Sequence, residues 1–170
     1  LGVGGRRTAT TMTTMHDLVR TIVTEIAATD PSDMSLGDVE ELLAQRWTEG
    51  PLAGDEYRLH RELAALLVQR FVAMRAGTSR SITPSLRIGI GTTTVTANAD
   101  DVIMTPRGQH IVRMVRTGHQ SSKTGQALAD AAFQMAAVNS LPGSTVEIVH
   151  LGDDDHTTKI EFDHRALGKR

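Results

Sequence analysis

From Thr10 to Thr29 the apolar positions Met12, Met15, Leu18, Val19, Ile22, Val23 and Ile26 recur at steps of three and four. That is the period of one buried helix face. The pattern stops ahead of Asp30-Pro31, because a residue preceding proline is pushed out of the α region. Ser35-Leu-Gly-Asp38 has the form of a capping box and predicts a second helix through Val39, Leu42, Leu43 and Trp47. A loop around Gly50-Pro51 separates it from a third helix over about Asp55 to Arg75, striped by Leu59, Leu63, Leu66, Leu67, Arg70 and Phe71. Gly77 stands where a helix C′ glycine belongs.

Past Gly77 the period shortens to two. Leu86, Ile88 and Ile90 alternate with Arg87, Gly89 and Gly91, which is a strand signature. Thr92 to Met104 reads as one β-branched extended run carrying Asp100 and Asp101 in its middle. Pro106-Arg-Gly108 makes a turn, and Gln109 to Thr117 returns as its hairpin partner. In that second strand, alternation puts Val112, Met114 and Arg116 on one face and Ile111, Arg113 and Val115 on the other. Ala-rich Thr124 to Asn139 is a helix that closes at Leu141-Pro-Gly143. Thr145 to Leu151 and Thr157 to Phe162 are two further strands around Gly152-Asp-Asp-Asp-His156. The predicted order is ααα–βββ–α–ββ, an α/β fold of two layers with an N-terminal helical elaboration (1–54) on a core (55–170), one domain overall.

Composition narrows what such a domain can be. With 170 residues and no cysteine, disulfides, thiolate metal sites and cysteine nucleophiles are excluded. The formal charge of −2 excludes a protein that binds nucleic acid through a global basic field, though not a local basic groove. No apolar run approaches a membrane span, and Leu1 to Arg7 lacks the apolar segment of a secretory signal, so a cytoplasmic location is expected. A chain beginning at Leu1 rather than Met is expected to be a piece of a longer polypeptide. Gly118-His-Gln-Ser-Ser-Lys-Thr124 lacks the glycine before lysine that a phosphate loop needs. His150, His156 and His164 read as surface residues flanking the last hairpin, and Asp153-Asp-Asp155 as its turn.

Against that background the element order resembles the RecB-type PD-(D/E)XK nuclease domains at the C-terminal end of bacterial superfamily 1 helicases of the UvrD/Rep kind. Met15-His16-Asp-Leu18 is similar to the histidine-bearing helix of that family. Val95-Thr-Ala-Asn-Ala-Asp100-Asp-Val102 is similar to its strand ending in a metal-binding aspartate, and Met114-Val-Arg116-Thr-Gly118 to its (D/E)-x-K strand. Ala129 and Phe133 fall where the family carries a glutamine and a tyrosine four apart. The resemblance implies a restriction-endonuclease-like core (αβββαβ, mixed sheet), with Asp100, Met114 and Arg116 at the catalytic positions.

Two of those three positions are wrong for hydrolysis. A thioether is a poor partner for hard Mg²⁺, and a guanidinium stays protonated and cannot serve as a base. At most a weakly held Mg²⁺ at Asp100 is expected, with no other cofactor, and ATP belongs to the motor of the parent chain. Asp100 and Asp101, as strand neighbours, point to opposite faces and do not chelate together. What remains suits phosphate contact: Arg116, Lys123 and Arg87 are the candidates for holding the DNA backbone without sequence preference. The expected partners are DNA and the helicase motor domains, in DNA repair, with no membrane. The competing expectations are an active Mg²⁺- or Mn²⁺-dependent exonuclease completed by a relocated ligand, Glu147 or Asp101, and a protein-interaction module that binds no DNA.

Overall fold

A computed structural model describes residues 11–49, 52–82, 85–120, 124–154 and 157–160. Helix α1 (Thr11–Ala27) buries Met15, Val19, Ile22, Val23 and Ile26, the stripe that the sequence period marks. Helix α2 (Leu36–Glu49) opens with the expected capping box: the Asp38 amide donates to Ser35 Oγ (3.3 Å), and the Ser35 amide donates to the Asp38 carboxylate (2.7 Å). Helix α3 (Arg58–Arg75) ends just ahead of Gly77, which has φ +72°. The three helices share one apolar cluster in which Trp47, Leu67 and Phe71 meet the α1 stripe.

The strands are β1 (Ser79–Arg80), β2 (Leu86–Ile90), β3 (Thr93–Ala97), β4 (Asp101–Met104), β5 (His110–Arg116), β6 (Thr145–His150) and β7 (Thr157–Ile160), with α4 (Thr124–Ser140) between β5 and β6. Five of them form a mixed sheet in the order β1-β4-β5-β6-β7. The β5–β6 pair is parallel and the other neighbours are antiparallel. A parallel pair needs a crossover, and α4 supplies it.

The extended run expected over Thr92 to Met104 is two strands in two sheets. Gly91, at φ +61°, turns β2 back on β3, and the pair forms a separate hairpin that packs on α4. The chain then bends at Asp100, and β4 joins the main sheet, pairing Asp101 with Arg113. Asp100 and Asp101 therefore lie at the start of β4 rather than mid-strand.

The alternation expected for β5 holds. Val115, with Val149 and Leu151, packs under α1–α3. Val112, with Val102 and Val146, packs against Phe133, Ala136 and Ala137 of α4 and Leu86 of the hairpin. Helices thus cover both faces, and the expected two layers become three. This explains why β6 is buried from Val146 to His150 without a polar-out alternation. Among the described residues, no helix is long and apolar enough to cross a membrane.

Candidate functional site

In an open α/β sheet the crevice outside the carboxyl ends of parallel strands is where backbone groups and loops converge on a ligand. Here β5 and β6 end side by side at Arg116 and His150. The loops that follow are joined: the Leu151 amide donates to the Arg116 carbonyl (2.8 Å) and the Gly152 amide to that of Gly118 (3.4 Å). A Cβ on Gly152 would stand 3.0 Å from the Gly118 carbonyl carbon, so any other residue would have to push that backbone away by a few tenths of an ångström. Asp153 crosses the seam, with one carboxylate oxygen 2.7 Å from His119 Nδ1 and the other accepting the Gln120 amide at 2.9 Å. From α3, Arg70 donates to the Leu151 and Asp153 carbonyls at 2.6 and 3.0 Å and to the Asp154 carboxylate at 2.8 Å.

Within the crevice, Arg116 meets Asp130, His150 and Met114. Both terminal nitrogens of its guanidinium bind the Asp130 carboxylate of α4. Nη1 also lies 3.3 Å from His150 Nε2, and Nη2 lies 3.5 Å from Met114 Sδ. The amide nitrogen of Gln126 lies 3.3 Å from the same His150 nitrogen. Two donors converge on Nε2, which assigns it as an acceptor and places the ring proton on Nδ1. Burial, followed by the charge of Arg116, lowers the His150 pKa below its ordinary value. His150 is only 3% exposed, which corrects the expectation of a surface histidine; His156 and His164 lie outside the described residues.

Asp100 closes the opposite side. Its amide donates to the Arg113 carbonyl (2.9 Å), and its carboxylate accepts the Val115 amide (2.7 Å), extending the ladder one step past β4. Desolvation of the carboxylate raises its pKa, although one flank of the residue is exposed; the Val115 bond and the charges of Arg20 and Arg116 pull the other way. Asp100 thus sits beside Val115, between Met114 and Arg116 in the chain, and within electrostatic range of Arg116. His16 stands nearby on α1, within electrostatic range of His119, and burial lowers its pKa.

Other expected residues fall elsewhere. Asp101 and Glu147 face α3, not the crevice. Asp101 lies 3.3 Å from Arg75 and 3.4 Å from Arg113, and Glu147 lies 2.7 Å from Arg113, all of them buried. Neither is placed to complete a site around Asp100. Arg87 is exposed on β2, where its backbone meets Asn139 and Ser140. Asn139 stands nine positions after Asp130 on α4, roughly 14 Å along the helix, so Arg87 does not share a groove with Arg116. Lys123 lies outside the described residues. Phe133 is buried at 1% in the α4 core and Ala129 is exposed. The α4 residues that do face the crevice, Gln126 and Asp130, sit one turn earlier. Their signal was a polar step of four, Gln126-Asp130-Gln134, in an otherwise Ala-rich helix.

These residues do not fit a Mg²⁺ site. Asp130 is spent on Arg116, Met114 offers a soft thioether, and one carboxylate oxygen of Asp100 is taken by the Val115 amide. Among the described residues, no three His, Asp or Glu side chains are grouped to hold a metal. The arrangement can present a guanidinium, backed by a neutral imidazole that accepts from it, to an anion. No protein-family model matches the chain, and no curated protein matches it in sequence.

Proposed function

We propose that this chain is a nuclease-like domain without cleavage chemistry, which holds the phosphodiester backbone of DNA beside the motor of an ATP-dependent helicase. The observation that carries the reading is the content of the crevice. Arg116 meets Met114, and Asp100 binds the Val115 amide between them in the chain, which leaves a thioether and a guanidinium where hydrolysis would need a carboxylate and a lysine. Strand polarity supports it in part: antiparallel β4–β5, the crossover α4 and parallel β6 match the latter half of the αβββαβ order that the resemblance implies, while β2 and β3 stand in a sheet of their own. A guanidinium binds phosphate in a fork without acting as a base, so contact without cleavage is the chemistry this set favours. Contacts to phosphates carry no sequence information, and no sequence preference is expected.

The test pairs a denaturing gel with a salt series. End-labelled single- and double-stranded DNA should stay intact with the domain in Mg²⁺ and in Mn²⁺. Fluorescence anisotropy should show binding that weakens steadily as salt rises. Cleavage that disappears in Asp100→Ala would overturn the reading. Failure to bind either form of DNA even at low salt would leave a protein-docking domain. One observation favours that second reading: the guanidinium of Arg116 is already satisfied internally by Asp130.

A further inference from the structure

The Arg116–Asp130 pair uses up the geometry that a phosphate would need. A guanidinium offers one planar fork, and carboxylate and phosphate fill it in the same bidentate way. Here Asp130 takes both terminal nitrogens, while His150 and Met114 flank them. We propose that Asp130 is an internal stand-in for a phosphate, a latch on Arg116 that a DNA phosphate must displace. The inference rests on the DNA reading above and specifies how that site is regulated.

Exposure separates a latch from a fixed strut. The Arg116 and Asp130 side chains are 22% and 21% exposed, whereas Arg113 and Glu147 are each 5% exposed. An ion pair in contact with water is weak, a factor of about ten or less in equilibrium constant, because water and salt compete for both partners. An incoming phosphate can therefore take the fork. The sealed Arg113–Glu147 pair cannot be exchanged without stranding a buried charge. When Asp130 leaves, Arg116 keeps its orientation, because His150 is buried behind it and is itself met by Gln126.

The experiment is a double-mutant cycle of Asp130→Asn and Arg116→Gln, with Asp130→Ser as a second release variant and circular dichroism to confirm folding. Binding of a short labelled DNA is read by anisotropy, and binding of inorganic pyrophosphate by calorimetry. Release of Asp130 should tighten DNA binding about tenfold, the size of one charge-assisted contact. It should also steepen the salt dependence by about one phosphate. Both gains should vanish in the Arg116→Gln background.

An equal gain in that background would mean that only bulk charge had changed, and the latch would be overturned. Unchanged DNA affinity in Asp130→Asn would overturn the latch and leave the DNA reading standing. If no variant binds DNA, pyrophosphate decides. Binding by Asp130→Asn that requires Arg116 supports the latch and removes DNA as the ligand, and no binding overturns both.

Discussion

Replacing Arg75 by methionine removes the charge that joins α1, α3 and β4. Arg75 is 1% exposed, and its guanidinium donates to the carbonyls of Ile26 (2.7 Å), Thr29 (2.9 Å) and, at longer range, Ala27 (3.4 Å). It therefore joins the cap on the carbonyl end of α1, where the Ile26 carbonyl also accepts the Thr29 amide at 3.0 Å and the Thr29 hydroxyl at 2.8 Å. Its Nε also lies 3.3 Å from the fully buried Asp101. Methionine roughly fills the volume, so the loss is polar rather than steric. Two short carbonyl bonds are worth about 1 kcal/mol each. Stripping one partner from a buried ion pair costs about 3–5 kcal/mol, a figure that overlaps the first because the same guanidinium makes both contacts. The expected total is about 4 kcal/mol.

Urea unfolding followed by Trp47 fluorescence, with far-UV circular dichroism alongside, reads this directly, since Trp47 is buried in the α1–α3 cluster. With a slope near 2 kcal/mol per molar, the midpoint should fall by about 2 M. The cause can be separated from simple loss of packing. Burial pushes the Asp101 carboxyl above its usual range while Arg75 and Arg113 pull it back. Removing Arg75 lets burial act with less opposition, so Asp101 binds a proton more readily in the folded state. A carboxyl raised on folding adds stability at low pH and loses it as pH rises through its folded pKa. The deficit of Arg75→Met should therefore shrink on acidification. Adding Asp101→Asn removes a buried carboxylate that has lost one of its two cations and keeps only Arg113, and should recover about 1 kcal/mol at neutral pH. A midpoint within about 0.5 M of wild type, or a double variant less stable than Arg75→Met alone, would refute the reasoning.

Three further predictions follow from other parts of the fold. Phe133→Ala should cost about 3–5 kcal/mol by opening a cavity between α4, Leu86 and Val112, and a loss under about 1 kcal/mol would deny that α4 is packed there. Gly152→Ala sets a methyl against the Gly118 and His119 backbone, which cannot rotate away, and should cost about 1–3 kcal/mol. Its signature is faster hydrogen exchange of the Gln120 amide, now held by Asp153; unchanged protection would contradict the strut. Because His150 has a folded pKa below its ordinary 6.5, the unfolded chain protonates first as pH falls, and stability declines below about pH 6.5. His150→Gln should flatten that decline in a series of urea midpoints, leaving the share of His16, which shifts in the same direction; an equally steep decline would exclude His150 as its source.

What could be read from the sequence was whatever repeats locally, and what could not was whatever depends on a distant partner. The α1 stripe, the Ser35–Asp38 box and the two faces of β5 need only a few neighbouring residues to be recognised. The end of the run from Thr92 to Met104 depends instead on the Asp100 carboxylate meeting the Val115 amide across a strand pair, and nothing within the run reveals it. Charge was the least legible property. Arg75, Asp101, Arg113 and Glu147 each have the chemistry of a surface residue, and they are buried because each meets an opposite charge from another element. The same logic explains the crevice. Asp130 lies on the polar step Gln126-Asp130-Gln134 of an Ala-rich helix, but that step does not reveal its partner, which is Arg116 at the end of β5. A cation read alone suggests a contact for phosphate. Read with its partner, it is a cation already paired within the domain, and any anion that reaches it meets the pair rather than a free guanidinium.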